Sequence, residues 1–365
     1  MNEHTLLHAP PPRGRKSTWL RVSLLVLLAV HLAACDNTGP STSEDTSVPP
    51  PATPDTGGGD SLPGPTPDAP GPTPDSVIAP PDSSEPPMPG PDSTPPTEPP
   101  APVHTGLPLG PAHVPPEHFA DFSGTNITPG FPDSLLPILE AARRANARVF
   151  ISFTGGGRHS LDSTGFNIDK WKERIDRYRG IDLTSYIADG TILGHFLMDE
   201  PNDRRNWSGH QVSQADIAEM ARYSKEVWPS MVTMIRAFPD FLEGHEYPRL
   251  DAIRVQYAPR FGPIDAFIND QVQGAKALGV ALVGGLNVLN GGSGESGIPG
   301  TREGKYAMSA DEIRDWGGRW LAEPYICAFL MYYYDSRYQS RPDIRAALSE
   351  LSQKARDLPK KECRP

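Results

Sequence analysis

Side chains that could do chemistry collect where apolar runs of the chain end. Asp199 and Glu200 follow the apolar run 192–198, and Asp335 follows the run 326–334. Carboxylates at such positions can give protons to a bound ligand or accept them from it. Groups that could hydrogen-bond or stack against that ligand lie at or just beyond similar run ends, namely Trp207, Arg236, Arg254, Gln256, Tyr257, Asn287, Tyr332 and Tyr334. These residues predict one polar site with aromatic walls.

The apolar runs alternate with amphipathic segments, and this alternation sets the fold class. β-Strands are predicted at 148–154, 192–198, 231–237, 252–257, 280–288 and 326–334, with a seventh around 119–127. Helices are predicted at 134–147, 168–179, 183–187, 212–228, 264–278, 309–321 and 341–356. Regular alternation of this kind indicates an α/β protein with a parallel sheet and right-handed crossovers.

The segment 109–365 has the length of a (β/α)8 TIM barrel, which takes about 250 residues. A doubly wound sheet is the alternative, but no G-x-G-x-x-G turn follows the first strand. Little chain precedes the first clear helix, so the opening strands are expected to be short or irregular. In a barrel the carboxyl ends of all strands meet at one face, where the βα loops build the active site. A barrel would therefore bring the polar strand ends together.

Composition separates this segment from the rest of the chain. Of the 43 prolines in 365 residues, 23 lie between positions 36 and 108, and such a density excludes helices and interior strands. The same stretch carries 11 acidic and no basic residues, whereas 109–365 has 30 basic and 33 acidic ones. We predict a disordered linker at 36–108 and a nearly neutral folded domain at 109–365. This charge gives no support for a nucleic-acid-binding surface.

The first 35 residues have the order of an export signal. A basic segment over 13–21 precedes the apolar run 22–32, which is too short to span a bilayer comfortably. The run ends in Leu32-Ala33-Ala34-Cys35, which resembles the lipobox of bacterial lipoproteins. The resemblance implies a lipid on Cys35 and membrane attachment in the bacterial cell envelope, in the periplasm or at the cell surface. An ordinary signal peptide or an uncleaved anchor is the alternative.

Three of the strand ends resemble those of TIM-barrel glycoside hydrolases. The fourth strand of many retaining families ends in Asn-Glu-Pro or Asp-Glu-Pro, which holds the acid/base glutamate. Chitinase-like barrels end their third strand in Ser-x-Gly-Gly and their eighth in an aromatic residue and an aspartate. The matching segments here are Phe196-Leu197-Met198-Asp199-Glu200-Pro201, Ser152-Phe153-Thr154-Gly155-Gly156 and Phe329-Leu330-Met331-Tyr332-Tyr333-Tyr334-Asp335.

The resemblance implies a role for each residue of the predicted site. Glycosidic cleavage needs a proton donor for the leaving oxygen and a second carboxylate that attacks the sugar or activates water. Glu200 would be the donor and Asp335 the base or nucleophile, with Asp199 in reserve. Hydrogen bonds to sugar hydroxyls would come from Gln256, Tyr257 and Asn287, and stacking from Trp207, Tyr332 and Tyr334. Arg236 and Arg254 would contact the substrate or pair with the carboxylates.

One departure from the family pattern keeps two other functions open. Retaining enzymes of this type place a nucleophilic glutamate at the end of strand seven, where this chain has Asn287. A carbohydrate-binding barrel without catalysis, or a different barrel enzyme such as a lyase or esterase, would also fit. The histidines have no metal-ligand spacing. We expect a monomer that binds carbohydrate and needs no metal or cofactor.

The two cysteines outside the lipobox are predicted to pair. Cys327 opens the last strand, and Cys363 follows the last helix. That helix returns from the carboxyl end of the barrel to its amino end, so both sulfurs should lie at the amino end. Disulfides are frequent in exported proteins, and a disulfide here would fix the C-terminal helix to the barrel.

Overall fold

The computed structural model describes residues 104–365. Cys35, the predicted signal segment 1–35 and nearly all of the predicted linker 36–108 lie outside the described residues. Those assignments, including the domain boundaries, remain predictions.

Within the described residues, eight parallel strands form one nearly closed barrel. The hydrogen-bonded order is β1-β8-β7-β6-β5-β4-β3-β2. The strands are β1 Leu109–Pro111, β2 Gly124–Ile127, β3 Arg148–Ile151, β4 Ile192–Asp199, β5 Thr233–Arg236, β6 Ala252–Arg254, β7 Ala281–Gly284 and β8 Ile326–Met331. The predicted (β/α)8 TIM-barrel fold is confirmed.

Helices cover the outside of the barrel and follow the strands in the predicted order. They are α1 Pro132–Arg144, α2 Ile168–Asp176, α3 Thr184–Ala188, α4 Gln214–Val227, α5 Pro239–Leu242, α6 Ile264–Leu278, α7 Ala310–Ala322, α8 Ser336–Gln339 and α9 Pro342–Asp357. Helix α6 ends at Gly279, whose φ of 66° is the left-handed cap that glycine favours. Across residues 104–365, no helix combines the length and the apolar character that crossing a membrane requires.

The alternation of side chains along each strand divides the core into two layers. In β3, Phe150 belongs to a cluster inside the barrel together with Met234, Val283 and Leu330. Its neighbour Val149 belongs to the larger cluster between the strands and the helices. Successive strand residues face opposite sides, so a barrel strand that is buried on both faces is mostly apolar along its length. This burial explains why the runs that predicted strands β3 to β8 were continuous.

Side-chain hydrogen bonds, together with a backbone bond from the N–H of His113 to the carbonyl oxygen of Asn126 at 2.7 Å, close the barrel between its two irregular opening strands. The backbone N–H of Leu109 donates to Ser123 Oγ at 3.0 Å, and Thr125 Oγ1 donates to the carbonyl oxygen of Pro111 at 2.7 Å. Pro111 has no N–H to give to a backbone ladder. These side-chain bonds join β1 to β2, which lie at the two ends of the hydrogen-bonded order.

The amino end of the barrel holds both ends of the described chain. A disulfide joins Cys327, in β8, to Cys363, with their Cα atoms 5.1 Å apart. The N–H of Leu107 donates to the carbonyl oxygen of Ala355, in the last turn of α9, at 2.8 Å. Helix α9 is therefore attached to the amino end of the barrel by the residues after it and by those before β1.

Candidate functional site

A cavity of about 370 Å³, which we call the main cavity, opens at the carboxyl end of the barrel. Of the predicted site residues, those that line it are Asp199, Glu200, Trp207, Arg236, Asn287 and Tyr332. They come from the ends of β4, β5, β7 and β8 and from the loop after β4. The barrel thus assembles most of the predicted polar site, because it places these distant strand ends around one opening.

The end of β4 turns sharply and brings two adjacent carboxylates to the same cavity. In a continuing strand, Asp199 and Glu200 would face opposite sides. The strand ends at Asp199, and Glu200 has a φ of 47°, in the left-handed region that side chains other than glycine rarely adopt. Its N–H donates to Arg236 O at 3.0 Å, and its carbonyl oxygen accepts Trp207 Nε1 at 2.8 Å. Backbone strain held in place in this way is typical of functional sites.

One guanidinium binds both carboxylates. Arg236 Nη1 lies 2.9 Å from Asp199 Oδ1, and Nη2 lies 2.9 Å from Glu200 Oε1. Arg236 and Asp199 are direct partners in the pairing of β4 with β5, so their side chains stand together on one face. Burial alone would lower the pKa of Arg236, but the two carboxylates outweigh burial and raise it. The sequence left open whether this arginine binds substrate or the carboxylates, and here it binds the carboxylates.

Replacing Arg236 by Gln is expected to lower the free energy of unfolding by about 2–3 kcal/mol, because two carboxylates lose their charged partner. The loss stays below that of a fully buried pair since Asp199 is half exposed. Urea denaturation of the wild-type and variant chains measures it. The triple variant that also carries Asp199→Asn and Glu200→Gln should recover most of the loss. An equally unstable triple variant would contradict this account.

Arg254, in β6, lies directly opposite Arg236 in the pairing of β5 with β6. Unlike Arg236, it binds no carboxylate among residues 104–365. Its Nη2 donates to the carbonyl oxygens of Leu330 and Met331 at 3.2 and 3.1 Å. Burial and the neighbouring Arg236 lower its pKa to about 9. Arg254 lines a smaller cavity of about 40 Å³ beside the main one, which we call the side cavity.

Gln256, Asn287 and Tyr257 have different surroundings, although all three were predicted to bind hydroxyls. Gln256 is buried and lines the side cavity. Asn287 lines both cavities and accepts the N–H of Asn290 through Oδ1. The buried hydroxyl of Tyr257 donates to the carbonyl oxygen of Gly262 at 2.8 Å, and this residue lines neither cavity. Its predicted binding role is therefore replaced by a structural one.

The three predicted stacking residues also divide. Trp207 and Tyr332 line the main cavity. Burial raises the pKa of Tyr332, whose ring packs edge-on against Tyr333 at a centroid distance of 4.8 Å. Tyr334 stacks on His118 at 5.3 Å and does not line the main cavity. Trp207 is only 2% exposed and packs edge-on against Phe166 at 5.7 Å, so Tyr332 is the one of the three with a partly exposed ring at this cavity.

Asp335 does not reach the site, which corrects its assignment as base or nucleophile. Strand β8 ends at Met331, and Asp335 is the N-cap of α8, where its side chain accepts the N–H of Tyr338 at 2.9 Å. Its own N–H donates to Gln339 Oε1 at 2.6 Å. The residue starts a helix four positions beyond the strand end that suggested a catalytic role.

Replacing Asp335 by Ala is expected to cost about 1 kcal/mol of stability through loss of the helix cap. Ligand affinity and any turnover should stay unchanged, because the side chain is outside the cavity. Thermal unfolding measures the stability, and a binding titration of the same preparation measures the ligand affinity. A drop in affinity or rate without a matching loss of stability would contradict the structural role and indicate that Asp335 belongs to the site.

The sequence interpretation missed the basic character of the cavity. Four further arginines line it beside Arg236, namely Arg158, Arg205, Arg260 and Arg302. Arg158 follows the glycine run after β3, and Arg260 follows the end of the 252–257 run, so their positions carried a signal that could have been weighed. Arg302 lies in the long loop between β7 and α7, where no pattern marks it.

Among residues 104–365, no group of three or more His, Cys, Asp or Glu side chains is placed to hold a metal ion. His195, in β4, is fully buried, and its Nδ1 lies 2.8 Å from Ser224 Oγ. Burial lowers its pKa to about 3. This histidine is therefore a neutral core residue.

The structure is similar in backbone arrangement to solved glycoside hydrolases. One is an endocellulase of Pyrococcus horikoshii in complex with cellotetraose, 11% identical over 64% of this chain and 83% of its own, with a TM-score of 0.42. Another is a GH18 chitinase of Pseudoalteromonas aurantia, 12% identical over 65% of this chain and 96% of its own, with a TM-score of 0.39. No family model matches the sequence, and no curated protein matches it either. These similarities concern the fold alone.

Proposed function

We propose that this protein is a glycoside hydrolase-like barrel that acts on a poly- or oligosaccharide at the main cavity. The observation that carries the proposal is the position of Glu200. It follows the fourth barrel strand, its backbone is held on both sides, and it lines a cavity in which Tyr332 offers a partly exposed aromatic ring. Carbohydrate sites combine polar groups for hydroxyls with flat apolar surfaces, and this cavity offers both.

In the proposed reaction, Glu200 donates the proton to the leaving oxygen as the glycosidic bond breaks. Asp199 is the second carboxylate, which either attacks the sugar carbon or activates the water that attacks it. The sequence assigned Asp335 or Asp199 to this role, and Asp199 takes it because it lines the cavity whereas Asp335 does not. A donor must carry a proton, whereas Arg236 now holds the Glu200 carboxylate through a 2.9 Å contact. A ligand that engages Arg236 would weaken this contact. Glu200 would then be free to take up and pass on the proton.

A carbohydrate-binding barrel without catalysis is the second candidate, and one observation favours it. Arg236 binds both cavity carboxylates, and β7 is followed by Asn287 in place of a nucleophilic glutamate. A site in which both carboxylates are tied to one cation could bind hydroxyls without cleaving the sugar.

Incubation of the full chain with a panel of polysaccharides tests these candidates. New reducing ends support the hydrolase, and binding without new ends supports the binding protein. Unsaturated products would instead indicate a lyase, and released acyl groups an esterase. No binding and no product with any carbohydrate would contradict the proposal.

We propose in addition that the protein is attached to the bacterial cell envelope through a lipid on Cys35. The lipobox-like end of the signal segment supports this proposal. In cells fed a labelled fatty acid, the wild-type chain should become labelled and sediment with membranes. Cys35→Ser should lose the label and leave the membrane fraction, whereas Cys363→Ser should retain both. A labelled Cys35→Ser chain would contradict the assignment.

A further inference from the structure

The charge of the main cavity is unbalanced. Two carboxylates line it against five arginines, namely Arg158, Arg205, Arg236, Arg260 and Arg302. Arg236 is bound to the two carboxylates, and Arg205 forms an ion pair with Asp203 at 2.5 Å. Arg158, Arg260 and Arg302 form no ion pair with any of the residues 104–365. Three positive charges thus face the opening without a direct ion pair in this range.

These three arginines come from different βα loops. Arg158 lies between β3 and α2, Arg260 between β6 and α6, and Arg302 between β7 and α7. Burial lowers the pKa of Arg260, and the nearby Arg236 and Arg302 lower it further, against the opposite effect of Glu200. Like charges repel, so their convergence on one opening is unfavourable without an anion.

The side cavity contains buried polar atoms that lack partners. Gln256 is 4% exposed, and within the described range neither Oε1 nor Nε2 has a hydrogen-bond partner. Nε of Arg254, which is 3% exposed, also has none. Buried polar groups almost always find partners, so these groups indicate a site for a polar ligand group or for water. The side cavity shares Glu200, Arg236, Arg260 and Asn287 with the main one.

We propose that the carbohydrate bound by this protein is acidic, and that the side cavity receives its carboxylate or sulfate group. The inference rests on the proposed action on carbohydrate. The side cavity of about 40 Å³ has room for a few heavy atoms, since one water needs about 10–15 Å³, but not for a sugar ring. Arg254 and Arg260 supply the charge, and guanidinium groups bind carboxylates and tetrahedral oxyanions such as phosphate through paired hydrogen bonds. Gln256 supplies a neutral donor beside them.

Calorimetric titration of the full chain with paired polymers tests the proposal. Each acidic polymer is compared with the same polymer after its acid groups are neutralised. One arm uses polygalacturonate, alginate and hyaluronan against their methyl esters, and the other uses sulfated galactans against desulfated ones. At least one acidic polymer should bind ten times more tightly than its neutral partner, and the arm in which it occurs identifies the anion.

Two variants locate the anionic group. Arg260→Gln removes a charge from an exposed residue, and Gln256→Glu introduces a carboxylate beside Arg254, where it has a cation to pair with. Both should weaken binding of the acidic polymer at least tenfold more than they weaken binding of its neutral partner. Arg249→Gln, an exposed arginine just before β6 at the opposite end of the barrel, is the matched control and should change neither. Circular dichroism checks the fold of each variant.

The outcomes separate this inference from the proposed function. Cleavage of neutral polymers with no preference for acidic ones would overturn the inference and leave the hydrolase standing. Tight acidic binding without cleavage would support the inference and favour the binding protein. Acidic binding that survives both variants would overturn the assignment to the side cavity.

Discussion

Replacing Glu200 by Gln is expected to slow glycosidic cleavage by about 10²–10⁴-fold, the usual contribution of a general acid or base. Gln keeps the size of the side chain and can still accept a hydrogen bond from Arg236, so substrate affinity should change little. It has no proton to donate to the leaving oxygen. Steady-state rates and binding titrations on the polysaccharide that the panel identifies measure the two effects separately.

A substrate with an activated leaving group sharpens this test. The dinitrophenolate group of a dinitrophenyl glycoside leaves without protonation. The Glu200→Gln variant should therefore cleave this substrate at a rate much closer to that of the wild-type chain. Glu246→Gln, at an exposed position that lines neither cavity, is the matched control and should behave as wild type on both substrates. Equal losses on both substrates would show that Glu200 acts otherwise than as a proton donor.

Opening the Cys327–Cys363 disulfide is expected to lower the free energy of unfolding by about 3–4 kcal/mol. The bond closes a loop with a sequence separation of 36 residues, and a loop of this size restricts the unfolded chain to about that extent. The measurement is urea denaturation of the oxidised and reduced protein. A Cys35→Ser background is used, so that the two remaining cysteines of the chain are this pair.

The control for the disulfide is a chain that lacks it. Cys363→Ala should be as unstable as the reduced protein and should not respond to the reductant. Two reactive thiols in the oxidised protein before unfolding, or equal stability with and without reductant, would show that the bond does not form.

The barrel was predictable because its strands are buried on both faces. Continuous apolar runs such as 192–198 and 326–334 are typical of parallel strands buried on both faces, and the length of the segment favoured a barrel over a doubly wound sheet. Strand β1 was missed, since Leu109–Pro111 is three residues long and too short to show a pattern. The predicted strand at 119–127 holds β2 only in its last four residues, because the chain before it forms the short helix Pro116–Asp121.

The site was harder to predict, because strand-end position does not determine where a side chain is used. Glu200 and Asp335 both follow apolar runs, yet one faces the cavity and the other caps a helix. The difference depends on where the strand stops, and β8 stops at Met331. The prediction for Tyr257 failed for another reason, since its hydroxyl donates a hydrogen bond to the carbonyl oxygen of Gly262, five residues along the chain. Such short-range competition is not visible in residue types and spacing.

The basic character of the cavity could be predicted only in part, because Arg158 and Arg260 follow strand ends whereas no pattern marks Arg302. The domain as a whole is nearly neutral, and charge counted along a chain does not show where it gathers in space. Arg158, Arg260 and Arg302 are more than 40 residues apart. Their convergence follows from the closure of the barrel, which places their loops around one opening.

The attachment of both ends of the described segment, 104–365, at the amino end of the barrel has a mechanical consequence. A pull on residue 104 would reach the barrel through Leu107 and the last turn of α9, and a pull on the C-terminus would reach β8 through Cys363. Both loads enter at the face opposite the cavity. Tension on either end would therefore be carried by the floor of the barrel, and the loops that form the opening would be spared distortion.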